Sequence, residues 1–511
     1  MHEALFCSEL LDLISHNCSL HTISQLSLTN RTISDSVLHV LWSSIENFGP
    51  LIRCMPADLW EERPSESCRL LVRFYRLLPP TQINTFFQSF RRPIRDTDFE
   101  RFLLRAVHVK SFGDLSGNTK YQVEAAALLA LCCAAGKNIK LLPRLRRLAV
   151  TCTDQDLTCI GHCLSPTITQ VDIYPSDKSL LSTLQTVILQ CPLVTEACLV
   201  GSGPVSVLTR TVSLMHHWSH LQTLIVIHPV SVYGLSSLPA LKNLALASAG
   251  RYASGPIPKI SKGFSALEGL VLCDCHPDFC ITFMRYMDQT PMKSISVLFQ
   301  TSISLDVWFG FLNAMRDGVV HDQIQSVDLD CAYGQMFDQP CSVETISPLL
   351  CYTNLSSIRL KSLRGFKFDD GAIDAMASSW KELRKFKVET VWQPQPRATY
   401  KSLVSFARHN PRLEKLVILF DATTITKDIL NARPWKGIRN QSLRTLDVRC
   451  SQIEAPDLVA DFLTDIFPKL VWIDVSVDLD ARAHAAQRNS SQLYCDRWTE
   501  VERLLRTNMG R

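Results

Sequence analysis

The chain has 511 residues, with 53 Lys and Arg against 49 Asp and Glu, for a formal net charge of +4. Charged residues make up 20% and hydrophobic ones 46%, the composition of a folded protein, which excludes a disordered chain. A balance so near neutral, with no block of Lys and Arg, argues against a nucleic-acid partner.

The opening MHEALFCSELLDL lacks a basic start, a long apolar core and a small-residue cleavage site, so no secretory signal is expected. The 19 cysteines are scattered and odd in number, which fits reduced thiols in the cytoplasm or nucleus. Residues 4–45 divide into three short helices. The first carries Leu10, Leu13 and Ile14 at helical spacing behind Ser8, with Glu9 near its positive end. The second follows Ser19, with Leu20, Ile23 and Leu26 on one face. The third sets Ile33, Val37, Leu38, Leu41 and Trp42 on one face, after a turn bearing Arg31. From about 47 to 103 the chain has Pro-marked turns at Pro64, Pro79-Pro80 and Pro93. Its apolar pieces, CRLLVRFYRLL and INTFFQSF, read as short helices or strands. The apolar run Ala125 to Ala135 is too short to span a bilayer and predicts a buried helix; no membrane partner is expected.

An apolar residue followed at +3 and +5 by two more then recurs down the chain. The copies are LRRLAV from Leu145, ITQVDI from Ile168, VTEACL from Val194, LQTLIV from Leu221, LKNLAL from Leu241, LEGLVL from Leu267 and MKSISV from Met292. They continue as IQSVDL from Ile324, LSSIRL from Leu355, LRKFKV from Leu383, LEKLVI from Leu413, LRTLDV from Leu443 and LVWIDV from Leu470, with a weaker first copy, LRAVHV, from Leu104. The period averages roughly 27 residues, within the leucine-rich-repeat window. Alternation over each copy predicts a short strand with one buried face. The stretches between, such as SLLSTLQTVILQCP and PDLVADFLTDIFP, have helical spacing and stop at Pro192, Pro291, Asn354, Pro411 and Pro468. One strand and one helix cannot close a core alone, so stacked units are expected: an α/β strand–helix solenoid, a horseshoe. At the end, Trp498, Val501, Leu504 and Leu505 share a helix face that would cap the array.

The +2, +4 and +6 side chains of each strand point to the open, concave face. There Ile225, Ile227 and Val271, among small residues, give way to Asp328, Asp330, Arg359, Lys361, Lys385, Lys387, Glu389 and later Arg449. An apolar floor beside a charged bank would suit a protein target with an apolar anchor next to acidic residues.

Two cysteine clusters, Cys273, Cys275, His276, Cys280 and Cys152, Cys159, His162, Cys163, lack the paired spacing of structural zinc and read as buried thiols. G-x-S-x-G, P-loop, dinucleotide and HExxH motifs are absent. The chain reads as non-enzymatic, with no catalytic residue, metal or cofactor expected.

The three-helix head resembles an F-box. Glu9-Leu10 matches its acidic-apolar start, SLHTISQLSLTNR its middle and Leu41-Trp42 its close; Ser8 and Asn30 replace the family's Pro and small or Val residue. RPIRDTDFERFLLRAVHVKSF is similar to the segment after the F-box in F-box proteins of basidiomycete fungi. The resemblance implies a substrate adaptor that docks on the adaptor and cullin scaffold of an SCF ubiquitin ligase, with the repeats holding an unidentified target. Leu10, Leu13, Ile14, Leu26 and Leu28 are the expected docking residues, and Trp42 is internal packing. The expected divisions are a head at 1–46, a linker segment at 47–103, the solenoid at 104–480 and a capping helix at 481–511.

Overall fold

The computed structural model describes residues 8–64, 86–113, 121–136, 139–152, 156–175, 180–200, 210, 214–227, 235–236, 238–247, 263–287, 289–299, 303–331, 341–362, 365–390, 395–449, 451–475 and 485–508. They fall into two compact units, 1–234 and 235–511.

Three helices open the first unit: α1 (Ser8–Asn17), α2 (Leu20–Ser27) and α3 (Arg31–Leu41). Short polar side chains start two of them. The Ser19 hydroxyl accepts from the Thr22 N–H at 3.2 Å, and Asn30 Oδ1 accepts from the Thr32 N–H at 2.8 Å. Each cap satisfies a backbone donor that the helix cannot, a contribution of about 1 kcal/mol. Leu11, Ile23, Ile33, Val37 and Val40 close a core between the helices, with Cys18, Leu26 and Leu41 at its margin.

Next come β1 (Ser44–Ile45), α4 (Gly49–Ile52), β2 (Trp60–Pro64), β3 (Phe86–Phe90), α5 (Asp96–Ala106), β4 (Ser111–Phe112), β5 (Tyr121–Val123) and α6 (Ala125–Ala135). β2 and β3 pair antiparallel and β3 and β5 parallel, a small separate sheet. The piece CRLLVRFYRLL lies outside the described residues, whereas FFQSF is β3. At the start of α5 the buried Asp98 carboxylate accepts from the Arg95 N–H at 2.8 Å and from Arg92 at 2.6 and 3.1 Å. The Arg92 hydrogen bond, then the Arg95 N–H, hold its carboxyl down at about 2. α6 buries Ala127, Leu131, Cys132 and Ala135 but leaves Leu129 exposed, so only one side of the expected buried helix is covered.

The parallel ladder of this unit runs β1–β4–β6–β7–β8–β9, with β6 (Arg147–Cys152), β7 (Gln170–Pro175), β8 (Glu196–Val200) and β9 (Thr223–Ile227). α7 (Asp156–Cys163) follows β6 and α8 (Leu180–Gln190) follows β7. The copy expected from Leu104 is not a strand. Leu104 lies in α5, 63% exposed on a helix whose Phe99, Phe102 and Ala106 face inward. The ladder starts with Ser44–Ile45 and Ser111–Phe112 instead.

The second unit continues the alternation. Its ladder runs in chain order through β10 (Asn243–Ala247), β11 (Gly269–Cys273), β12 (Ser294–Leu298), β13 (Ser326–Cys331), β14 (Ser357–Ser362), β15 (Lys385–Thr390), β16 (Lys415–Val417), β17 (Thr445–Asp447) and β18 (Trp472–Asp474). Every pairing is parallel and in register. The helices between are α9 (Pro277–Arg285), α10 (Leu305–Gly318), a 3-10 turn at Glu344–Cys351, α11 (Asp370–Ser379), α12 (Tyr400–His409), α13 (Lys427–Ala432) and α14 (Pro456–Ile466), before the long α15 (Ala485–Asn508). Each unit thus contains a parallel strand–helix ladder of the leucine-rich-repeat type.

Two devices hold the copies together. The +3 and +5 side chains are buried in pairs, as at Leu224 and Val226, Leu270 and Leu272, and Ile358 and Leu360. Each such side chain stabilises by about 1.5–3 kcal/mol. Ahead of most strands of the ladders, one carbonyl accepts from two successive N–H groups of the next copy. Arg146 O takes Thr169 and Gln170 at 2.8 and 3.0 Å, and the same arrangement recurs at Ser43, Thr169, Glu268, Lys293, Gln325, Ser356, Arg384, Glu414 and Arg444. Buried side chains add bonds one copy apart. Asn410 Nδ2 donates to Trp380 O at 2.6 Å, Asn440 Nδ2 to Asn410 O at 2.7 Å, and Trp380 Nε1 to Leu349 O at 3.2 Å. On α15, Trp498, Val501 and Leu505 are buried, and Trp498 Nε1 donates to Ser451 O at 2.9 Å.

Candidate functional site

The head carries more large apolar side chains than its core uses. α1 turns Leu11 inward and leaves Leu10, Leu13 and Ile14 outside, Leu13 being 63% exposed. Leu20 on α2 is exposed, and Leu28, in the turn before α3, is 78% exposed. Of the five expected docking residues only Leu26 is half-buried against the core. The spacing that set Leu10, Leu13 and Ile14 on one face was real, but that face looks out. Trp42, just after α3, is half-buried, and Asp12 on α1 meets His39 on α3 at 2.7 Å.

In the first unit, Ile225 and Ile227 are exposed on β9, with Cys198 and Val200 of β8 as their register partners. In the second unit Val271 is exposed on β11, between Ala245 and Ser296.

Beyond Ser296 the open face becomes charged. Asp328, Arg359 and Lys387 are register partners on β13, β14 and β15, and Asp330, Lys361 and Glu389 form the parallel row two residues on. These charges answer one another. Arg359 donates to Glu389 at 2.8 and 3.1 Å and to Asp328 at 3.3 Å, and lies 3.6 Å from Asp330; Lys361 lies 3.6 Å from Asp330. Burial works against the Arg359 charge, and the carboxylates outweigh it, so its pKa is raised. Burial also pushes the Asp328 carboxyl up, an effect that Arg359, closer to Glu389, only partly offsets. Asp330 is buried.

Arg449 does not belong to this face. It lies two residues past β17 with φ 53°, is 5% exposed, and points a guanidinium nitrogen at Thr390 O, 3.5 Å away. A three-residue strand ends before the +6 position, so the offset that works on β13 to β15 fails there. Lys385 is exposed and Lys387 half-buried, and neither makes an ion pair among the described residues. Two residues escaped the sequence reading although they occupy the same +2 offset: Lys415, the register partner of Lys385, and Trp472, which is 58% exposed on β18.

In the second cysteine-bearing stretch the side chains serve the fold. His276 caps α9, its ring accepting from the Asp278 N–H at 3.4 Å, and Cys275 Sγ lies 3.5 Å from Leu246 O. The Cys275 hydrogen bond and burial push the Cys280 thiol up, burial does the same for Cys331, and Cys341 is pushed up to about 12. These thiols stay protonated and poor as nucleophiles. Cys152 and Cys159 have side chains outside the described residues; Cys163 is buried. Among the described residues no three His, Cys, Asp or Glu side chains gather as a metal-binding set, and no helix is long and apolar enough to cross a membrane.

No family model matches the sequence, and none of the curated proteins is detectably similar to it. Among solved structures, a leucine-rich-repeat protein of Leptospira interrogans is similar at 12% identity, over 62% of this chain and 74% of that one, with a TM-score of 0.34. A likeness that weak carries no functional argument; the repeat architecture rests on the spacing and register above.

Proposed function

We propose that the chain is the substrate-recognition adaptor of an SCF-type ubiquitin ligase. The head docks on the SCF adaptor, which brings the cullin scaffold, and the repeats hold a target protein near the transfer machinery. The gain is effective concentration: a tethered lysine meets the charged carrier without a diffusive encounter. No residue of this chain takes part in covalent chemistry.

The observation that carries the reading is the head's division of its leucines. Leu11 and Ile23 close a core, while Leu10, Leu13, Ile14, Leu20 and Leu28 stay in water. Exposed apolar groups in such density mark an interaction surface, and an apolar helix face seated in a partner's groove is a known docking mode. The F-box resemblance, which assigns that partner, is an analogy of sequence pattern. A repeat-based protein-binding scaffold with no ubiquitin role is the second reading, favoured by the open faces alone.

Co-purification of the full chain with the SCF adaptor separates the two. The wild type is expected to retain the adaptor and Leu10→Asp/Ile14→Asp to lose it, with unchanged circular dichroism. A folded wild type that retains none overturns the ligase reading in favour of the scaffold.

A further inference from the structure

The charged bank of the second unit leaves three cations over. Lys385 on β15 and Lys415 on β16 are register partners, and Lys387 stands two residues along the same face. Neighbouring strands lie roughly 4.8 Å apart, and like charges set across from one another destabilise a sheet. The nearby acids are engaged elsewhere: Glu389 with Arg359 at 2.8 Å, Glu414 with Arg384 at 3.5 Å, Asp330 with Lys361 at 3.6 Å. Among the described residues no ion pair relieves Lys385, Lys387 or Lys415. Past Thr445 the same row ends on Trp472, with the Arg506 guanidinium 5.4 Å from its ring centre.

We propose that this row receives an acidic segment of the target protein, extended across the strands. Its carboxylates sit over Lys385 and Lys415, and one apolar side chain packs against Trp472. The proposal rests on the repeats being a protein-binding surface and is independent of what the head docks on. Lys415 lies two ladder steps from Trp472 and Lys385 three, roughly 10 and 14 Å. An extended chain advances about 3.3 Å per residue. The recognised pattern is therefore acid-acid-x-x-apolar. A protein segment fits better than a nucleic acid. The cations without an ion pair among the described residues of this row lie on β15 and β16 alone, and the exposed Asp474 carboxylate, two residues past Trp472, opposes a continuous phosphate backbone there.

The test uses the full chain and a fluorescein-labelled peptide containing Glu-Glu-Ser-Gly-Leu, read by anisotropy at low and high salt. The wild type is expected to bind, more weakly at high salt. Lys385→Glu/Lys387→Glu/Lys415→Glu should weaken binding by about tenfold or more, the milder Gln triple variant by less, and Trp472→Ala by several-fold without changing the salt dependence. Lys293→Glu, on β12's approach and paired with Glu268, should bind as wild type. The head variant Leu10→Asp/Ile14→Asp should also keep the peptide, so its loss of the SCF adaptor is read separately. Failure of the wild type to bind, equal binding by the folded charge-reversed protein, or displacement of the peptide by single-stranded DNA at lower concentration would overturn the proposal.

Discussion

The head and the repeats spend their leucines in opposite ways. In the array nearly every +3 and +5 position is buried, and its neighbours one copy away are buried with it, as Ile295, Val327, Ile358 and Phe386 are in one row. In the head, three helices close a core of five side chains and leave five large apolar ones in water. A repeated unit gains core from each neighbour, so a leucine inside it is structural by default. A lone three-helix body has no neighbour to supply the second layer. Its surplus leucines are therefore available to a partner without loss to the fold.

That contrast can be broken by substitution. Leu360→Ala, at a fully buried array position, should destabilise the second unit by about 2–5 kcal/mol, read by urea unfolding followed with tryptophan fluorescence. A cost under 1 kcal/mol would mean the array core is loose. An intermediate effect belongs to Asp98, whose charge is held by Arg92 and the Arg95 N–H. Asp98→Asn should cost about 1–3 kcal/mol at neutral pH. Its carboxyl is lowered from 3.8 to about 2 on folding, so its contribution is present above the unfolded value and is lost as pH falls toward 2. The gap between wild type and Asp98→Asn should accordingly close in acid; a gap constant with pH would mean the charge is not what matters. The smallest effect is expected at Leu13, exposed on α1: Leu13→Ser should change stability by no more than about 0.5 kcal/mol. A loss of several kcal/mol would place Leu13 in a core after all.

What could be read from the sequence follows the same line. The strands were legible because +3 and +5 burial is local: Leu224 and Val226 announce themselves within six residues. Helix stops were legible from Pro411 and Pro468, just past α12 and α14. Leu104 misled because i, i+3 and i+5 apolar spacing also fits the end of an amphipathic helix. The sheet of β2, β3 and β5 joins segments far apart in sequence, and no local pattern predicts its pairing. On α1 the periodicity picked out one apolar face, Leu10, Leu13 and Ile14; Leu11, outside that spacing, goes in with Ile33 and Val37. The charge pairs depend on register between copies some thirty residues apart, so Arg359 and Lys361 looked as free as Lys385. Lys415 and Trp472 were within reach, since the +2 offset alone finds them.

The twice-used carbonyl ahead of most ladder strands has a consequence for how such a chain can change length. Arg384 O accepts from the Glu414 and Lys415 N–H groups, and Glu414 O in turn from those of Arg444 and Thr445. Deleting part of a copy would strand an acceptor and its two donors at the seam between copies, while deleting a whole copy lets the next one slide into an equivalent place. Growth and shrinkage of the array are therefore quantised in complete strand–helix modules. Loops outside the seam are free to vary one residue at a time.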